Sequence, residues 1–274
     1  MKLMIACDME GISGVVCWNQ VDPSHHEYQR FRHIMTADVN AAIAGANAAG
    51  ATEIVITDGH WNSGNVLLEE LDPRASLNSG TPTQFSMVQG VDDGVDAAIF
   101  LGYHARAGSL SAVLDHTWSS VRIANLWLNG RLTGEFGLNA SLCGHFGVPV
   151  LMVSGDQTVC AEARDWVSNV ATAQVKKAAG RYAAQCLPFE QSRKLITKTA
   201  HAAVKGFLAG KAPAPLKINQ PITVTIEYFH SHMADQGALL PSSTRLDGRR
   251  IEFKAGNMVE AYSTFRTAVN MVSS

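Results

Sequence analysis

The sequence predicts an α/β protein, in which a three-layer α/β/α domain with a mostly parallel sheet precedes a smaller α+β C-terminal domain. Near-continuous apolar runs separated by helical stretches are typical of strands buried on both faces of a parallel sheet. Four such runs lie at residues 2–6, 53–57, 97–101 and 149–153. The pattern changes after Asp156, so we predict domains at 1–155 and 156–274. At about 150 residues per domain, the length of 274 residues also suits one large domain or two modest ones.

The other predicted elements follow from periodicity and turn residues. Apolar side chains at spacings of three and four predict helices, and Gly50 ends the first of them. The Asn129-Gly130 dipeptide suits a type I′ turn, because both central residues of that turn take positive φ. Asn257 can cap the closing helix. The elements are a helix at 27–49, a hairpin at 123–132, helices at 134–146, 162–169 and 190–208, a stiff connector at 211–215, strands at 222–229 and 250–253 around an Asp247-Gly248 turn, and a helix at 257–272.

Composition excludes several classes of protein. The chain has 22 basic and 24 acidic side chains and a net charge of −2, which is not the footprint of a nucleic-acid-binding protein. No apolar stretch approaches the ~20 residues of a membrane span, and the first residues do not resemble a signal peptide. The five cysteines are odd in number and lack C-x-x-C spacing, so a disulfide framework is not expected. We therefore expect a cytoplasmic protein with neither a nucleic-acid nor a membrane partner.

Candidate metal ligands follow the first three predicted strands. Asp8 and Glu10 follow the first strand, Asp58 and His60 the second, and His104 the third. In an open parallel sheet, ligands bind beyond the carboxyl ends of the strands, so these side chains should converge. Carboxylate and imidazole ligands together suit Zn²⁺, Mn²⁺ or Co²⁺. One ion needs only three or four ligands, so this number of candidates allows two ions about 3.5–4 Å apart, with Asp8 as the natural bridge between them.

Each of these residues also has a structural interpretation. A single Asp after a strand often caps the next turn, Glu10 suits a solvated loop, and single histidines are more often structural than ligands. We favour ligands for His60 and His104 because both follow apolar strands at matching offsets. Asp58 is interpreted as a hydrogen-bond acceptor that orients a histidine rather than as a ligand.

Three further residues complete the candidate set. His116 lies in a polar loop, where it can act as a proton donor, a base or an oxyanion stabiliser, or be a surface residue. Glu135 starts a predicted helix, where the dipole stabilises a carboxylate whether or not it binds a metal. Asn139 lies one turn further and faces the same side. The sequence lacks the nucleophile elbow, the phosphate-binding loop and the H-E-x-x-H helix.

Five strings of the sequence together resemble a known family. In order, they are DMEGISG from Asp8, DGH from Asp58, LGYHA from Leu101, GEFGLNA from Gly134 and PVLMVSGD from Pro149. They resemble the D-aminopeptidase DppA family, the M55 metallopeptidases. The resemblance extends over residues 1 to about 160 and is looser towards the C-terminus.

The resemblance implies two zinc ions in a cleft of the α/β/α domain and a set of site residues. Asp8 would bridge the ions, Glu10 and His60 would complete one site, and His104 and Glu135 the other. His116 matches the catalytic histidine of the family, which leaves Asp58 and Asn139 as supporting or substrate-contacting residues. The resemblance also implies a ring-like homo-oligomer, a decamer in the family, that admits short peptides as substrates.

The resulting hypothesis is a metal-dependent aminopeptidase. It would hydrolyse N-terminal, preferentially D-, amino acids from dipeptides and short peptides through a water activated by two zinc ions, with Mn²⁺ or Co²⁺ equally allowed by the ligand types. One alternative keeps the two metals but changes the bond, to another small amide or a phosphate ester. A second alternative is a non-catalytic protein that binds peptides through a metal.

Overall fold

The computed structural model describes residues 1–273, which form twelve strands and six α-helices. The strands are β1 (Lys2–Cys7), β2 (Glu53–Asp58), β3 (Ala75–Asn78), β4 (Ala97–Leu101), β5 (Ile123–Leu128), β6 (Arg131–Thr133), β7 (Val150–Asp156), β8 (Ala171–Gly180), β9 (Ala183–Cys186), β10 (Ile222–Tyr228), β11 (Thr244–Arg245) and β12 (Arg250–Ala255). The helices are α1 (His26–Ala49), α2 (Glu135–His145), α3 (Gln157–Trp166), α4 (Phe189–Leu208), α5 (Ser231–Gly237) and α6 (Met258–Asn270).

Two sheets organise the described chain. The larger has seven strands in the order β3-β2-β1-β4-β7-β8-β9. All of its neighbouring strands are parallel except β8 and β9. The smaller sheet is antiparallel, in the order β11-β12-β10-β5-β6. The predicted α/β class with a mostly parallel sheet is therefore confirmed.

The larger sheet is buried on both faces, as its apolar strands predict. Alternate side chains of β1 enter two different cores because successive residues of a strand point to opposite faces. Leu3 and Ile5 belong to the core shared with α1 and α4. Met4 and Ala6 belong to the core shared with the smaller sheet and α6.

The predicted division at residue 155 does not separate the two sheets. The β5–β6 hairpin, which precedes that position, pairs with β10 of the smaller sheet. Residues 157–208 return to the larger sheet, where β8 pairs with β7 and α4 packs on α1. Strands that pair can be distant in sequence, so segments that follow one another along the chain belong to different sheets.

The local predictions are confirmed at several elements and differ at others. The hairpin turn has positive φ at Asn129 (49°) and Gly130 (76°), and the Asn257 side chain accepts a hydrogen bond at the start of α6. The helix predicted at 162–169 instead begins at Gln157, because the Asp156 carboxylate caps it. Strands β3, β8 and β9 were not predicted. Within residues 1–273, no helix combines the length and apolarity needed to cross a membrane.

Candidate metal centre

The candidate ligands meet where three parallel strands end side by side. The end of β1 is paired with the ends of both β2 and β4. Asp8 directly follows β1, His60 lies in the loop after β2, and His104 in the loop after β4. Glu135 is the first residue of α2. The predicted convergence of strand-end residues is therefore present in the structure.

Close backbone packing holds the loops after β1 and β4 together. Gly11 N–H donates to the Gly102 carbonyl at 2.7 Å. Gly102 has a φ of +73°, and a Cβ there would lie 2.3 Å from the Asp8 carbonyl oxygen. A Cβ at Gly11 would lie 1.9 Å from the Tyr103 carbonyl oxygen. Both positions therefore require glycine, since any side chain would force the two loops apart.

Asp8 lies at the centre of the site, and each of its carboxylate oxygens faces a different histidine. Oδ1 lies 3.3 Å from His60 Nδ1, and Oδ2 lies 3.3 Å from His104 Nε2. Glu10 Oε2 lies 3.1 Å from the same nitrogen of His60. Glu135 Oε1 lies 3.3 Å from His104 Nε2. The site therefore has two halves, one containing Glu10 and His60 and the other His104 and Glu135, with Asp8 shared.

Backbone carbonyls determine which ring nitrogen of each histidine faces the carboxylates. The Nε2–H of His60 donates to the Val21 carbonyl at 2.9 Å, because a carbonyl can only accept. The Nδ1–H of His104 donates to the Ala105 carbonyl at 3.0 Å. The other nitrogen of each ring points to acceptor-only oxygens. Both rings are thus oriented as in metal sites, where a ligating histidine donates its second N–H to an acceptor.

His116 joins the same cluster from its outer side. Its Nδ1–H donates to the Leu114 carbonyl at 2.8 Å, so Nε2 faces inward. Nε2 lies 3.7 Å from Glu135 Oε1 and 4.0 Å from Glu10 Oε1, further than the distances of the other two histidines. Its side chain is 11% exposed, against 1% for His104. His116 is therefore the histidine best placed to meet a substrate. The rings of Trp18 and His116 pack in a T-shaped arrangement with their centroids 5.4 Å apart.

The buried charges shift one another's pKa values. Burial, followed by repulsion from Glu10, raises the pKa of Asp8 to about 7. Burial lowers the pKa of His60 and His104, but the neighbouring carboxylates outweigh it and raise both values well above 6.5. Burial acts to raise the pKa values of Glu10 and Glu135, yet the histidines lower them. The site thus concentrates negative charge that needs positive partners.

The donor set and its unpaired atoms fit divalent cations. Asp8 Oδ2, Glu10 Oε2 and His104 Nε2 are buried and make no hydrogen bond within residues 1–273. Buried polar atoms rarely remain unpaired, and buried charges are normally paired or bind metals. Two overlapping groups of side chains have the spacing to hold an ion, namely Asp8, Glu10 and His104, and His104, His116 and Glu135. Both contain His104 and neither contains His60, so this spacing supports a metal centre without assigning Glu10 to His60. Three carboxylates with imidazoles form the mixed oxygen and nitrogen set that suits zinc.

Asp58 supports the His60 loop rather than the ring itself. Its carboxylate accepts hydrogen bonds from Asn65 N at 2.6 Å, Asn65 Nδ2 at 2.7 Å and Val66 N at 2.9 Å. Asn65 Nδ2 also donates to the His60 carbonyl at 2.7 Å. The ring is oriented by Val21, as described above. Asp58 can therefore affect the position of His60 only through Asn65 and the backbone of the loop, not through a hydrogen bond to the ring.

The side-chain amide of Asn139 forms hydrogen bonds with neighbouring tyrosine side chains. Its Nδ2 donates to the Tyr103 hydroxyl at 3.1 Å, and its Oδ1 accepts from the Tyr262 hydroxyl at 3.1 Å. Tyr262 belongs to α6, so Asn139 connects the site's helix α2 with the helix that packs on the smaller sheet. Within residues 1–273, no hydrogen bond joins the Asn139 amide to the candidate metal-binding carboxylates.

Two charged residues near the site, the buried Lys176 and the half-buried Glu162, were not predicted. Lys176, on β8, is 2% exposed and donates to three carbonyls of the loop after β1. The Glu162 carboxylate, on α3, accepts a hydrogen bond at 2.9 Å from the backbone N–H of Arg106, which lies two residues after His104 in the sequence. Their contacts are largely with main-chain atoms, which leave no signal in a side-chain pattern.

Known proteins resemble this chain over nearly its whole length. The family model of peptidase M55, described as D-aminopeptidase, matches residues 1–267. A D-aminopeptidase of Bacillus subtilis (strain 168) is 40% identical over 265 residues, covering 96% of this chain and 94% of the relative. A solved structure described as "Zn-dependent D-aminopeptidase DppA from Bacillus subtilis, a self-compartmentalizing protease" has a TM-score of 0.95 and 36% identity, covering 99% of this chain and 97% of the other.

Proposed function

Because the chain belongs to the D-aminopeptidase family of M55 peptidases, we propose that it is a zinc-dependent aminopeptidase that removes N-terminal D-amino acids from dipeptides and short peptides. The observation that carries the proposal is the buried cluster around Asp8, in which acceptor-only oxygens face ring nitrogens at 3.1 to 3.3 Å. The relative described as Zn-dependent supports zinc as the cation.

Two zinc ions would divide the cluster between them. Glu10 and His60 would hold one ion, and His104 and Glu135 the other. Asp8 would serve both, since its two oxygens face one histidine in each half. Zinc at such a site supplies a water that is acidic near neutral pH and a Lewis acid for the carbonyl of the scissile bond.

His116 would carry the proton in this reaction. It is the most exposed histidine of the cluster and lies furthest from the carboxylates. Burial, followed by the charge of His104, lowers its pKa, so its Nε2 is a free base near neutral pH. From that position it can accept a proton as the peptide bond is attacked and return it to the leaving amine.

The metal centre would also account for the choice of a chain end. With two zinc ions bound, their positive charge exceeds the negative charge of the Asp8, Glu10 and Glu135 carboxylates, so the centre would not attract a protonated α-amine. It would instead hold the neutral α-amine through its lone pair, which an internal peptide nitrogen does not offer because that pair is delocalised into the carbonyl. We therefore propose cleavage from the N-terminus rather than within a chain.

We further propose that the chain works as a ring-like homo-oligomer. The similar structure is described as a self-compartmentalizing protease, which supports an enclosed assembly, and a decamer stays a prediction from the family resemblance. A cytoplasmic location also stays a prediction. The mass of the purified protein, measured by light scattering after size-exclusion chromatography, tests the assembly: a single 29.4 kDa species would contradict it.

Paired substrates test the activity. Purified full-length protein loaded with Zn²⁺ is given dipeptides that differ only in the chirality of the first residue, and amino-acid release is measured. We expect release from the D-form to exceed that from the L-form at least about tenfold, a difference of about 1.4 kcal/mol in transition-state binding. No release from either form would overturn the proposal, and phosphate release from small esters instead would favour the other two-metal hydrolase.

A further inference from the structure

The loop that carries Asp8 and Glu10 turns three of its carbonyls towards a single buried atom. Lys176 Nζ donates to the carbonyls of Glu10 at 2.5 Å, Ile12 at 3.0 Å and Val15 at 2.8 Å. An ammonium group has three N–H donors, one for each of these carbonyls. Lys176 is 2% exposed, although lysine is rarely buried to this degree. A buried lysine at this place therefore indicates a specific task.

The bonds of Lys176 lead directly to a candidate metal ligand. The carbonyl of Glu10 accepts from Lys176, while the Glu10 carboxylate lies 3.1 Å from His60 Nδ1. Because both groups belong to one residue, a rotation of the Glu10 backbone moves its carboxylate away from His60. The same loop is also held by Gly11 N–H, which donates to the Gly102 carbonyl. Lys176 thus holds the backbone of the Glu10 loop through these three hydrogen bonds.

A second buried charge supports the loop one turn further on. The Asp38 carboxylate of α1 accepts from Ser13 N at 2.9 Å. Asp38 itself lies 3.8 Å from Arg193 Nε of α4. Charged residues from two elements, β8 and α1, therefore bond to the loop, and Arg193 of α4 lies beside the Asp38 carboxylate. Of these residues, only Lys176 bonds to a candidate ligand residue.

We infer that Lys176 is a positioning residue for the metal centre, which fixes the backbone of the Glu10 loop so that the Glu10 carboxylate meets His60. The inference rests on the proposed function, because it assigns Glu10 and His60 to one cation. It predicts an unequal effect on the two halves of the site. Lys176 makes no hydrogen bond to His104 or Glu135, so we expect the half that those residues form to change less than the half that contains Glu10.

Replacing Lys176 tests this role against the lysine beside it. Lys176→Met keeps an unbranched side chain, one atom shorter than lysine, and leaves the three carbonyls without their donor. Lys177→Met is the matched control, since Lys177 is the next residue of β8 and is exposed. Zinc affinity is measured by competition with a chromophoric chelator, and the absorption spectrum of the Co²⁺-loaded protein reports the coordination of each ion.

We expect Lys176→Met to bind one cation as the wild type does and the other about tenfold to a hundredfold more weakly. Its Co²⁺ spectrum should change, its kcat should fall more than its KM changes, and Lys177→Met should match the wild type. Two tightly bound ions with an unaltered Co²⁺ spectrum in a folded Lys176→Met protein would overturn the inference.

A milder variant separates positioning from folding. Lys176→Gln retains two donors and should give an intermediate loss of affinity for the weaker ion. If both variants fail to fold, Lys176 serves the fold rather than the site, and the inference is wrong. Zinc affinity is read without turnover, so a wild-type protein that cleaves no peptide would remove the proposed function while these titrations still decide the role of Lys176.

Discussion

The ring of His104 lies flat against the ring of His116, with centroids 3.9 Å apart and planes 13° apart. Two charged imidazolium rings repel each other at this distance. Neighbouring carboxylates raise the pKa of His104 against the opposing effect of burial, whereas burial and the charge of His104 lower the pKa of His116. In the stacked pair, His104 is therefore the ring that carries a proton or binds a metal, and His116 is the ring that stays neutral.

Substituting His116 should separate chemistry from metal binding. We predict that His116→Gln lowers kcat about 100-fold to 10,000-fold, the usual contribution of a general base, and leaves the zinc content of the protein unchanged. Steady-state kinetics and elemental analysis of the same preparation check both statements. His26→Gln is the control, because His26 is 81% exposed, and it should behave as the wild type. Loss of one zinc ion from His116→Gln would instead make His116 a ligand.

Zinc affinity should depend on pH through the shared carboxylate. Burial and Glu10 raise the pKa of Asp8 to about 7, and a carboxylate must lose its proton before it ligates. His60 and His104, with raised pKa values, must also release protons, so the sign is the same. We predict that the zinc affinity of the metal-free protein rises with pH through about 7. Chelator competition at several pH values measures it, and an affinity that falls as pH rises would contradict this assignment.

Asp58 should matter through the loop that carries His60. Asp58→Asn replaces an acceptor of three hydrogen bonds by a group with its own N–H donors, which face Asn65. We predict a loss of about 1–3 kcal/mol in the free energy of unfolding and weaker binding of one zinc ion. Chemical denaturation and zinc titration measure the two effects. Asp92→Asn, at an exposed position, is the control. An unchanged zinc affinity would mean that Asp58 does not support the site.

Asn139 should serve stability rather than metal binding. Asn139→Ala leaves the buried hydroxyls of Tyr103 and Tyr262 without their shared partner. We predict a lower Tm, corresponding to about 1–3 kcal/mol, with an unchanged zinc content. Asn270→Ala, at the exposed end of α6, should leave the Tm unchanged. If Asn139→Ala loses zinc and keeps its Tm, its amide acts on the site instead.

The apolar strands and the convergence at their ends could be predicted from the sequence. Strands β1, β2, β4 and β7 are continuous apolar runs, and that pattern is local. Asp8, His60 and His104 could be brought together in advance because the carboxyl ends of parallel strands share one edge of the sheet. This geometric rule requires no knowledge of the loops.

The supporting residues could not be predicted, for physical reasons. Strand β8 contains the pair Lys176-Lys177, and two adjacent lysines are a pattern typical of an exposed surface. Nothing in that pattern shows that the Lys176 side chain is buried. The partners of Lys176 and the Val21 carbonyl that orients His60 are main-chain groups, which every residue possesses. The pairing of β5 with β10 joins segments about a hundred residues apart, and local periodicity does not encode such distant contacts.

Stepwise return of zinc to the metal-free protein tests the two-ion D-aminopeptidase assignment most directly. Amino-acid release from a D-aminoacyl dipeptide is measured after each addition, with Asp8→Asn as the variant that lacks the shared carboxylate. We predict little turnover up to one zinc ion per chain, full turnover at two, and none at any ratio for Asp8→Asn. Full turnover at one ion per chain, or in the metal-free protein, would contradict the assignment.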